Sequence, residues 1–310
     1  MSKARELAEL IGNAGGTSEQ VLSGRRNLII NGDFQVSQRG NYTTATNVSN
    51  GSYVLDRWKV EFTAGAFTLQ KNTGYPHTDS STQRIVCTAS GTGLFSAKQI
   101  IEEKYRGQVL TVSAWVKSNT PNARIMVNNN GWFSVATHSG SGNWEKLTAT
   151  FMVSTADVRV EVSSALCGGD GFTSVAMTAG DYIETSQVQL ELGSVATPFE
   201  HRSYGEELAL CQRYYYDHTH SEFIRNLSAY SSTGAYTDQV TFPVTMRSTP
   251  SITFIFSQYY KYGAGWQVPN SNTAYLTNKD GFFWEPNATN QFSAHSTYLG
   301  SIKFKADAEL

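Results

Sequence analysis

The sequence is poor in charge and in long apolar runs. Asp, Glu, Lys and Arg make up 16% of the 310 residues, and the formal net charge is −2. So small a net charge provides no general field that would attract nucleic acid or an anionic membrane surface. No apolar run approaches the roughly 20 residues that span a bilayer, and the amino terminus lacks an apolar signal segment. We therefore expect no nucleic-acid partner, no membrane insertion, and folding in a cytoplasm.

Cysteine and catalytic motifs are also scarce. Cys87, Cys167 and Cys211 are odd in number and far apart, and no Cys-x-x-Cys pair occurs. This spacing argues against a disulfide framework or a zinc site and favours buried, inert thiols. The chain contains no Gly-x-Ser-x-Gly elbow, His-Glu-x-x-His helix or phosphate-binding Gly-Lys-Ser/Thr loop. We expect no cofactor and no enzymatic activity.

The sequence does contain β-type alternation. Apolar and polar side chains alternate at residues 110–116, 147–153 and 158–162, and the intervening stretches are rich in Asn, Gly and Ser. Alternation with a period of two indicates strands that bury one face, and these turn residues are typical of exposed connections. Long helices do not alternate with the strands. The pattern predicts a mainly β protein whose residues 27–200 form a jelly-roll β-sandwich.

A short helix is predicted after this sandwich. Val188, Leu190 and Leu192 alternate with polar residues, which predicts a half-buried last strand. Ser203 and Glu206 then have the spacing of a capping box, in which each side chain satisfies a backbone amide of the other. We therefore predict a linking helix within residues 201–216, followed by a C-terminal β-sandwich at residues 217–310.

Residues 1–26 are predicted to form a short helix and a flexible leader. Ala4, Leu7, Ala8 and Ile11 would lie on one face of this helix. So short a helix is marginal alone in water and needs a partner surface. We expect Leu7, Ala8 and Ile11 to mediate oligomerisation or docking to another protein; the alternative is a helix that packs on its own domain.

Aromatic residues are concentrated in residues 217–310. Sugar recognition uses flat aromatic faces for the pyranose ring and short polar side chains for its hydroxyls. The stretches 258–266 and 281–290 contain both residue types. The candidates for glycan contact are Tyr259, Tyr260, Tyr262, Trp266, Phe282 and Trp284, together with Trp132 and Trp144 in the first domain. The alternative is that these rings form the core of a small domain. Trp58 and Trp115 are predicted to be core residues.

Several segments resemble a known family. The run ELGSVATPFEHRSYGEELALCQRYYY at 191–216 resembles the junction in bacteriophage tail-fibre and receptor-binding proteins between a carbohydrate-binding-module-like jelly roll and a distal domain. Similar phrases occur in the family's order: NLIINGDF at 27–34, DRW at 56–58, FPVTMRSTP at 242–250 and ADAEL at 306–310. The resemblance covers roughly residues 26 to 310.

The resemblance implies a structural protein of the virion that mediates host attachment. It implies a homotrimeric tail-fibre protein, assembled in the host cytoplasm, that binds other virion proteins through its N-terminal segment and a host cell-surface glycan through its distal domain. Two alternatives remain open. One is a purely architectural head or tail decoration protein. The other is a polysaccharide-degrading enzyme, which would need two carboxylates about 5 to 10 Å apart across a cleft.

Metal binding has only weak candidates. His218 and His220 would share one face of an extended segment, so three chains around an axis could offer six nitrogens; the alternative is a solvated surface pair. Jelly-roll carbohydrate modules also resemble one another in a structural calcium site, for which Asp33 and Glu184 would be the nearest oxygens. Gln35 stands where such modules tend to place an acid.

Overall fold

The structure is a computed structural model that describes residues 25–73, 80–156, 159–168, 172–237, 239–261, 263–288, 291–293 and 296–310, without the side chains of 133–135 and 220–226. The helix predicted around Leu7, Ala8 and Ile11 lies outside these residues, as do Tyr262 and the side chain of His220. No helix in the described part of the chain is long and apolar enough to cross a membrane.

The described chain is mainly β, as the alternation predicts. Its strands are β1 (Thr46–Asn47), β2 (Lys59–Phe62), β3 (Ala66–Thr73), β4 (Ser81–Ala89), β5 (Gly91–Gly93), β6 (Phe95–Ile100), β7 (Val109–Ser118), β8 (Ala123–Asn128), β9 (Trp132–Thr137), β10 (Trp144–Met152), β11 (Glu161–Leu166), β12 (Val175–Met177), β13 (Tyr182–Leu192), β14 (Tyr215–Ala229), β15 (Ala235–Thr237), β16 (Val240–Thr241), β17 (Ser251–Lys261), β18 (Gly265–Gln267), β19 (Ser271–Tyr275), β20 (Gly281–Asn287) and β21 (Thr297–Asp307). The helix α1 (Tyr204–Gln212) lies between β13 and β14.

The chain divides into two compact units, Met1–Glu207 with Leu310, and Leu208–Glu309. The first unit contains a six-stranded sheet in the order β1-β3-β4-β13-β7-β10 and a five-stranded sheet in the order β2-β6-β11-β8-β9. β5 and β12 form a further two-stranded sheet. The strands pair antiparallel, and neighbours in a sheet are mostly distant in sequence. The predicted two-sheet sandwich is confirmed.

The core of the first unit lies between its two large sheets. Leu110, Val112 and Ala114 of β7 are buried there, as the alternation predicts. Trp58 is also fully buried, as predicted, and its ring lies 5.1 Å from that of Phe34. Burial of these apolar side chains supplies most of the favourable free energy of folding.

The segment at Leu28–Ile30 forms no regular strand. The Leu28 amide donates to the Leu190 carbonyl at 2.8 Å. Other backbone groups here are hydrogen-bonded to side chains. Gln99 accepts from the Ile30 amide and donates to the Ile30 carbonyl, at 2.9 and 2.7 Å. Asn27 donates to the Val188 carbonyl at 3.1 Å. These side-chain amides satisfy backbone groups that a strand ladder would otherwise pair.

Arg202 fastens this segment to the chain that follows β13. Its guanidinium donates to the carbonyls of Asn27 and Ile29 and pairs with Glu200 and Glu207. Burial would raise the pKa of the Glu200 carboxyl, but hydrogen bonds from the Arg26 and Asn27 amides and the nearby guanidinium groups hold that pKa below its usual value. The segment is therefore fixed by charge-assisted hydrogen bonds, which are stronger than neutral ones.

β13 is buried on both faces, whereas the sequence predicts a half-buried strand. Val188 and Leu190 lie in the core, and Gln189 and Glu191 on the other face are buried as well. The chain after β13 covers that second face, since Glu191 accepts hydrogen bonds from the amide and hydroxyl of Thr197 at 2.8 and 2.6 Å. The covering segment could not be recognised from alternation, because its contacts are side-chain specific.

The capping box is confirmed. The Ser203 amide donates to the Glu206 carboxylate at 2.9 Å, and the Glu206 amide donates to the Ser203 hydroxyl at 3.3 Å. α1 is shorter than the predicted interval 201–216, and Tyr215 belongs to β14 instead of the helix. The local sequence therefore determines where this helix begins more closely than where it ends.

Removal of the Ser203 hydroxyl is expected to lower the free energy of unfolding by about 1 kcal/mol, because an N-terminal amide of α1 loses its acceptor. The Ser203→Ala variant should show this in urea unfolding followed by circular dichroism. Ser203→Thr keeps the hydroxyl, so its free energy of unfolding should fall by less. Equal stability of the alanine and threonine variants would contradict a capping role.

The second unit is also built from antiparallel sheets. A five-stranded sheet has the order β15-β14-β21-β17-β18, and a three-stranded sheet has the order β16-β20-β19. Leu227, Ile302 and Phe304 from the larger sheet pack in one core cluster with Phe282 and Trp284 from the smaller one. The predicted C-terminal β-sandwich is thus present.

Candidate functional site

A groove of about 560 Å³ lies on the outer face of the six-stranded sheet in the first unit. The sheet contributes one group of lining residues and the segment after β13 contributes another. The lining residues are Ser113, Trp115, Lys146 and Gln187 from the sheet, and Ala196, Pro198, Phe199 and His201 from the segment. This volume falls in the range of small-molecule binding sites.

The sheet register places the indole of Trp115 in this groove. Trp115 is opposite Lys146 on β10 and opposite Ser186 on β13. Its neighbours Ala114 and Val116 point into the core, so Trp115 points to the outer face, where it is half-buried. The prediction of a core Trp115 is therefore wrong. Trp115 follows the polar residues Thr111 and Ser113 at intervals of two, which places it on their face of β7. This spacing is the signal that could have predicted its outward position.

A β-bulge places Gln187 among the lining residues. The pairing of β13 with β7 shifts register between Ser186 and Gln189, and Gln187 has a φ of 51°. Positive φ is unfavourable for a residue with a side chain and tends to occur at functional sites, as do bulges. The Gln187 amide donates to the Ser80 hydroxyl at 2.6 Å, which fixes the side chain.

The opposite wall of the groove is held in place by hydrogen bonds. The guanidinium of Arg26 donates to the Pro198 carbonyl at 2.6 Å, and the Glu200 amide donates to the Gln189 side chain at 2.8 Å. The rings of Phe199 and His201 meet edge to face at 5.0 Å. A wall fixed in this way loses little entropy when a ligand binds.

The groove combines aromatic and polar surfaces. Trp115 and Phe199 contribute aromatic rings to the lining, while Ser113 and Gln187 contribute hydroxyl and amide groups. None of the described lining residues carries a carboxylate. The arrangement can therefore hold a ring-shaped polar ligand, but it lacks the paired acids that glycoside hydrolysis uses.

Three predicted contact residues of the second unit are core residues. Tyr259, Phe282 and Trp284 are almost wholly buried, so they have no ring face for a ligand. The Trp284 indole donates to Asn272 at 2.8 Å, and the Phe282 ring packs 4.9 Å from that of Phe304. Their assignment to the glycan site is corrected: the small sandwich uses these rings to build its core.

Tyr260 and Trp266 remain exposed. They are paired across β17 and β18, and their rings meet edge to face at 5.6 Å. Tyr260 is 39% and Trp266 43% exposed, and Leu299, opposite Tyr260 on β21, is 44% exposed. The three side chains form an apolar row across three neighbouring strands, so the two aromatic residues stay candidates for surface contact.

Trp132 and Trp144 each begin a strand. The half-buried ring of Trp132 stacks on Phe172 at 4.7 Å and covers a small cluster that includes Met126 and Cys167. Trp144 pairs with Lys117, so it shares the sheet face of Trp115 but is not among the groove residues. Neither ring is brought into the groove.

The weak metal candidates lie in separate places. His218 contacts the Tyr216 hydroxyl at 2.8 Å and the Phe304 ring at 5.4 Å, and its burial lowers its pKa. Glu184 accepts hydrogen bonds from Asn72 and Thr82, at 2.9 and 2.6 Å. Among the described residues, no three His, Cys, Asp or Glu side chains are grouped as a metal site requires.

Asp33 has other partners. It accepts a hydrogen bond from Gln35 at 2.9 Å, and burial raises the pKa of its carboxyl.

Comparison with known proteins finds matches among solved structures. No family model and no curated protein matches the chain. The enzymatically active domain of tailspike protein 4 from bacteriophage CBA120 is 15% identical over 47% of this chain, with a TM-score of 0.33; this chain spans 21% of that one. A family 61 carbohydrate-binding module in complex with β-1,4-galactotriose is 16% identical over 54% of this chain and 99% of the module, with a TM-score of 0.34.

A further solved structure matches over more of the chain. The tandem family 22 carbohydrate-binding modules of Paenibacillus barcinonensis are 10% identical, over 87% of this chain and all (100%) of that one, with a TM-score of 0.33.

Proposed function

We propose that this protein is a phage tail-fibre protein that attaches the virion to glycans on the host surface, and that the groove beside Trp115 binds glycan. The observation that carries the proposal is the half-buried Trp115 indole on a sheet face, in a groove with fixed walls and polar lining residues. The resemblance of residues 191–216 to the junction of tail-fibre proteins supports the virion role.

The proposed mechanism is adhesion without chemistry. The apolar face of a pyranose would stack on Trp115, while the hydroxyl of Ser113 and the amide of Gln187 would bond to sugar hydroxyls. A single open site of this kind binds weakly. Several copies on one homotrimer, and several trimers on one particle, would lengthen attachment through effective concentration.

The second unit would provide another contact. Tyr260 and Trp266 are exposed aromatic residues on one sheet face, and rings so placed can also stack on sugars. In this proposal each unit carries its own contact with the host surface. The groove is the site of higher affinity because its walls enclose a ligand on more sides than a flat pair of rings does.

The proposal predicts that Trp115→Ala lowers glycan affinity about tenfold, since the stacking surface is lost. The test is a glycan array probed with the full chain, followed by titration calorimetry with the strongest ligand. Trp144→Ala is the matched control, because it removes an indole from the same sheet face outside the groove. Its affinity should equal that of the unmodified protein.

Other outcomes would place the glycan site elsewhere or show that the protein has none. If Trp266→Ala abolishes binding and Trp115→Ala does not, the glycan site lies in the second unit. If the unmodified protein binds neither the array nor host cells, a purely architectural role replaces adhesion. Release of reducing ends from host polysaccharide would show that the protein is an enzyme.

A further inference from the structure

The ionisable side chains that line the groove carry either a positive charge or no charge. Among its described lining residues these are Lys146 and His201, both of which are exposed. Lysine is positive at neutral pH, and a histidine becomes positive when it gains a proton. The groove therefore presents positive charge beside the Trp115 indole, to which Lys146 is directly opposite in the sheet.

The carboxylates near the groove have other partners. Glu191 is held by Thr197, and Glu200 accepts from the Arg26 and Asn27 amides at 3.0 and 2.8 Å. Glu184 pairs with Arg84 at 3.3 Å. Glu191 and Glu200 are also paired with guanidinium groups, those of Arg26 at 3.6 Å and Arg202 at 3.1 Å, which offset part of their charge.

Glu145 precedes Lys146 in the sequence but does not pair with it. Its carboxylate accepts from the Ser139 amide at 3.0 Å and from the Ser141 hydroxyl at 2.9 Å. Hydrogen bonds from Ser139 and Ser141 hold the pKa of this carboxyl below its usual value. The ionised carboxylate is thus bound to the loop at residues 139–141. Among the described carboxylates, none forms an ion pair with Lys146.

The attraction for an anion would be local. The whole chain has a net charge of −2, so it does not draw polyanions to its surface in general. An anionic group held on a sugar ring above Trp115 would instead meet one ammonium group at short range, as a charge-assisted hydrogen bond. Selection would then depend on where the charge sits on the sugar.

We infer that the groove selects an acidic glycan, in which a carboxylate-bearing sugar such as a hexuronic acid stacks on Trp115 and pairs with Lys146. His201 on the opposite wall lies within electrostatic range of the Asp33 carboxyl, so Lys146 is the principal partner of the anion. The inference rests on the proposed function, because it assigns a ligand class to the glycan groove. A sulfated or phosphorylated sugar would offer the same charge and is distinguished by the test.

The test uses an array of acidic oligosaccharides, their carboxyl-reduced neutral counterparts, and sulfated and phosphorylated oligosaccharides, probed with the full chain. Carboxyl reduction should weaken binding about fivefold, which is the scale of one solvent-accessible ion pair. Lys146→Gln should cause the same loss for the acidic ligand and a smaller loss for its neutral counterpart. Added salt should weaken binding of the acidic ligand only.

Lys279→Gln is the control, since it removes one exposed positive charge in the second unit and should leave binding unchanged. Equal binding of acidic and neutral counterparts, or an unchanged affinity of Lys146→Gln, would overturn the inference and leave glycan binding intact. Stronger binding of sulfated or phosphorylated members would overturn the carboxylate assignment. If the unmodified protein binds no member of the array, the proposed function itself fails.

Discussion

Trp58→Ala is expected to lower the free energy of unfolding of the first unit by about 4 kcal/mol, the usual cost of removing a large buried ring. Trp58 is fully buried and packs against Phe34. The cavity left by the indole would lie among the buried side chains of the first unit's core, most of which are held by paired strands. The surrounding structure could therefore collapse only in part.

A lost hydrogen bond adds to this cost. The Trp58 indole donates to the Asn31 carbonyl at 3.0 Å. The Asn31 side chain in turn donates to the carbonyls of Val36 and Asp56, at 2.9 and 3.0 Å. Without the indole, the buried Asn31 carbonyl has one partner fewer at the centre of this network. The loss of order would extend to residues 27–30, which hydrogen-bond to β13.

Urea unfolding followed by circular dichroism measures this loss, and hydrogen exchange of peptides from β7 and β13 assigns it to the first unit. Two units need not unfold in one step, so the local probe matters. Trp266→Ala removes an exposed indole from the second unit and should change stability by less than about 1 kcal/mol. Comparable losses in the two variants would contradict the placement of Trp58 in the core.

Gly32→Ala is expected to lower the free energy of unfolding by about 3 kcal/mol, because the added methyl group overpacks this position. A Cβ atom at this position would lie 2.1 Å from the Val188 carbonyl oxygen and 3.2 Å from the Ile29 side chain. The first neighbour is backbone, so it cannot rotate away. The Val188 amide also donates to the Gly32 carbonyl at 2.8 Å, and the displaced segment would lose that bond.

The same substitution should weaken glycan binding, because Val188 adjoins the groove residue Gln187. Stability is measured by urea unfolding and affinity by calorimetry on the folded variant. Gly205→Ala is the control, since a Cβ atom there would meet nothing within 4 Å. It lies in α1, where alanine has a higher helix propensity than glycine, so it should lose no stability. A fully stable Gly32→Ala variant would show that the close approach imposes no constraint.

Local patterns in the sequence predict much of this fold. The alternation at 110–116 becomes β7, and the alternation at 147–153 lies largely within β10. Ser203 and Glu206 form the predicted capping box. In each case the decisive interactions join residues a few positions apart, or repeat along one strand, so they can be read from spacing alone.

β17 shows where such counting fails. Ile252 and Phe254 pack against the core, and strict alternation would place Tyr260 on that same face and Tyr259 on the opposite one. A register shift between Phe254 and Phe256 reverses the parity, so Tyr259 is buried and Tyr260 is exposed. Nothing in the residue types of this stretch signals the bulge.

By itself the sequence determined a mainly β chain with few charges, the linking helix and its first residues, and a supply of aromatic rings. Only the tertiary structure decided which rings face outward and that Trp115, Lys146 and Gln187 share a groove with Phe199 and His201. The reason is that strand pairing, bulges and the covering of β13 join residues far apart in the chain. Their free energies depend on a partner surface, which local spacing does not specify.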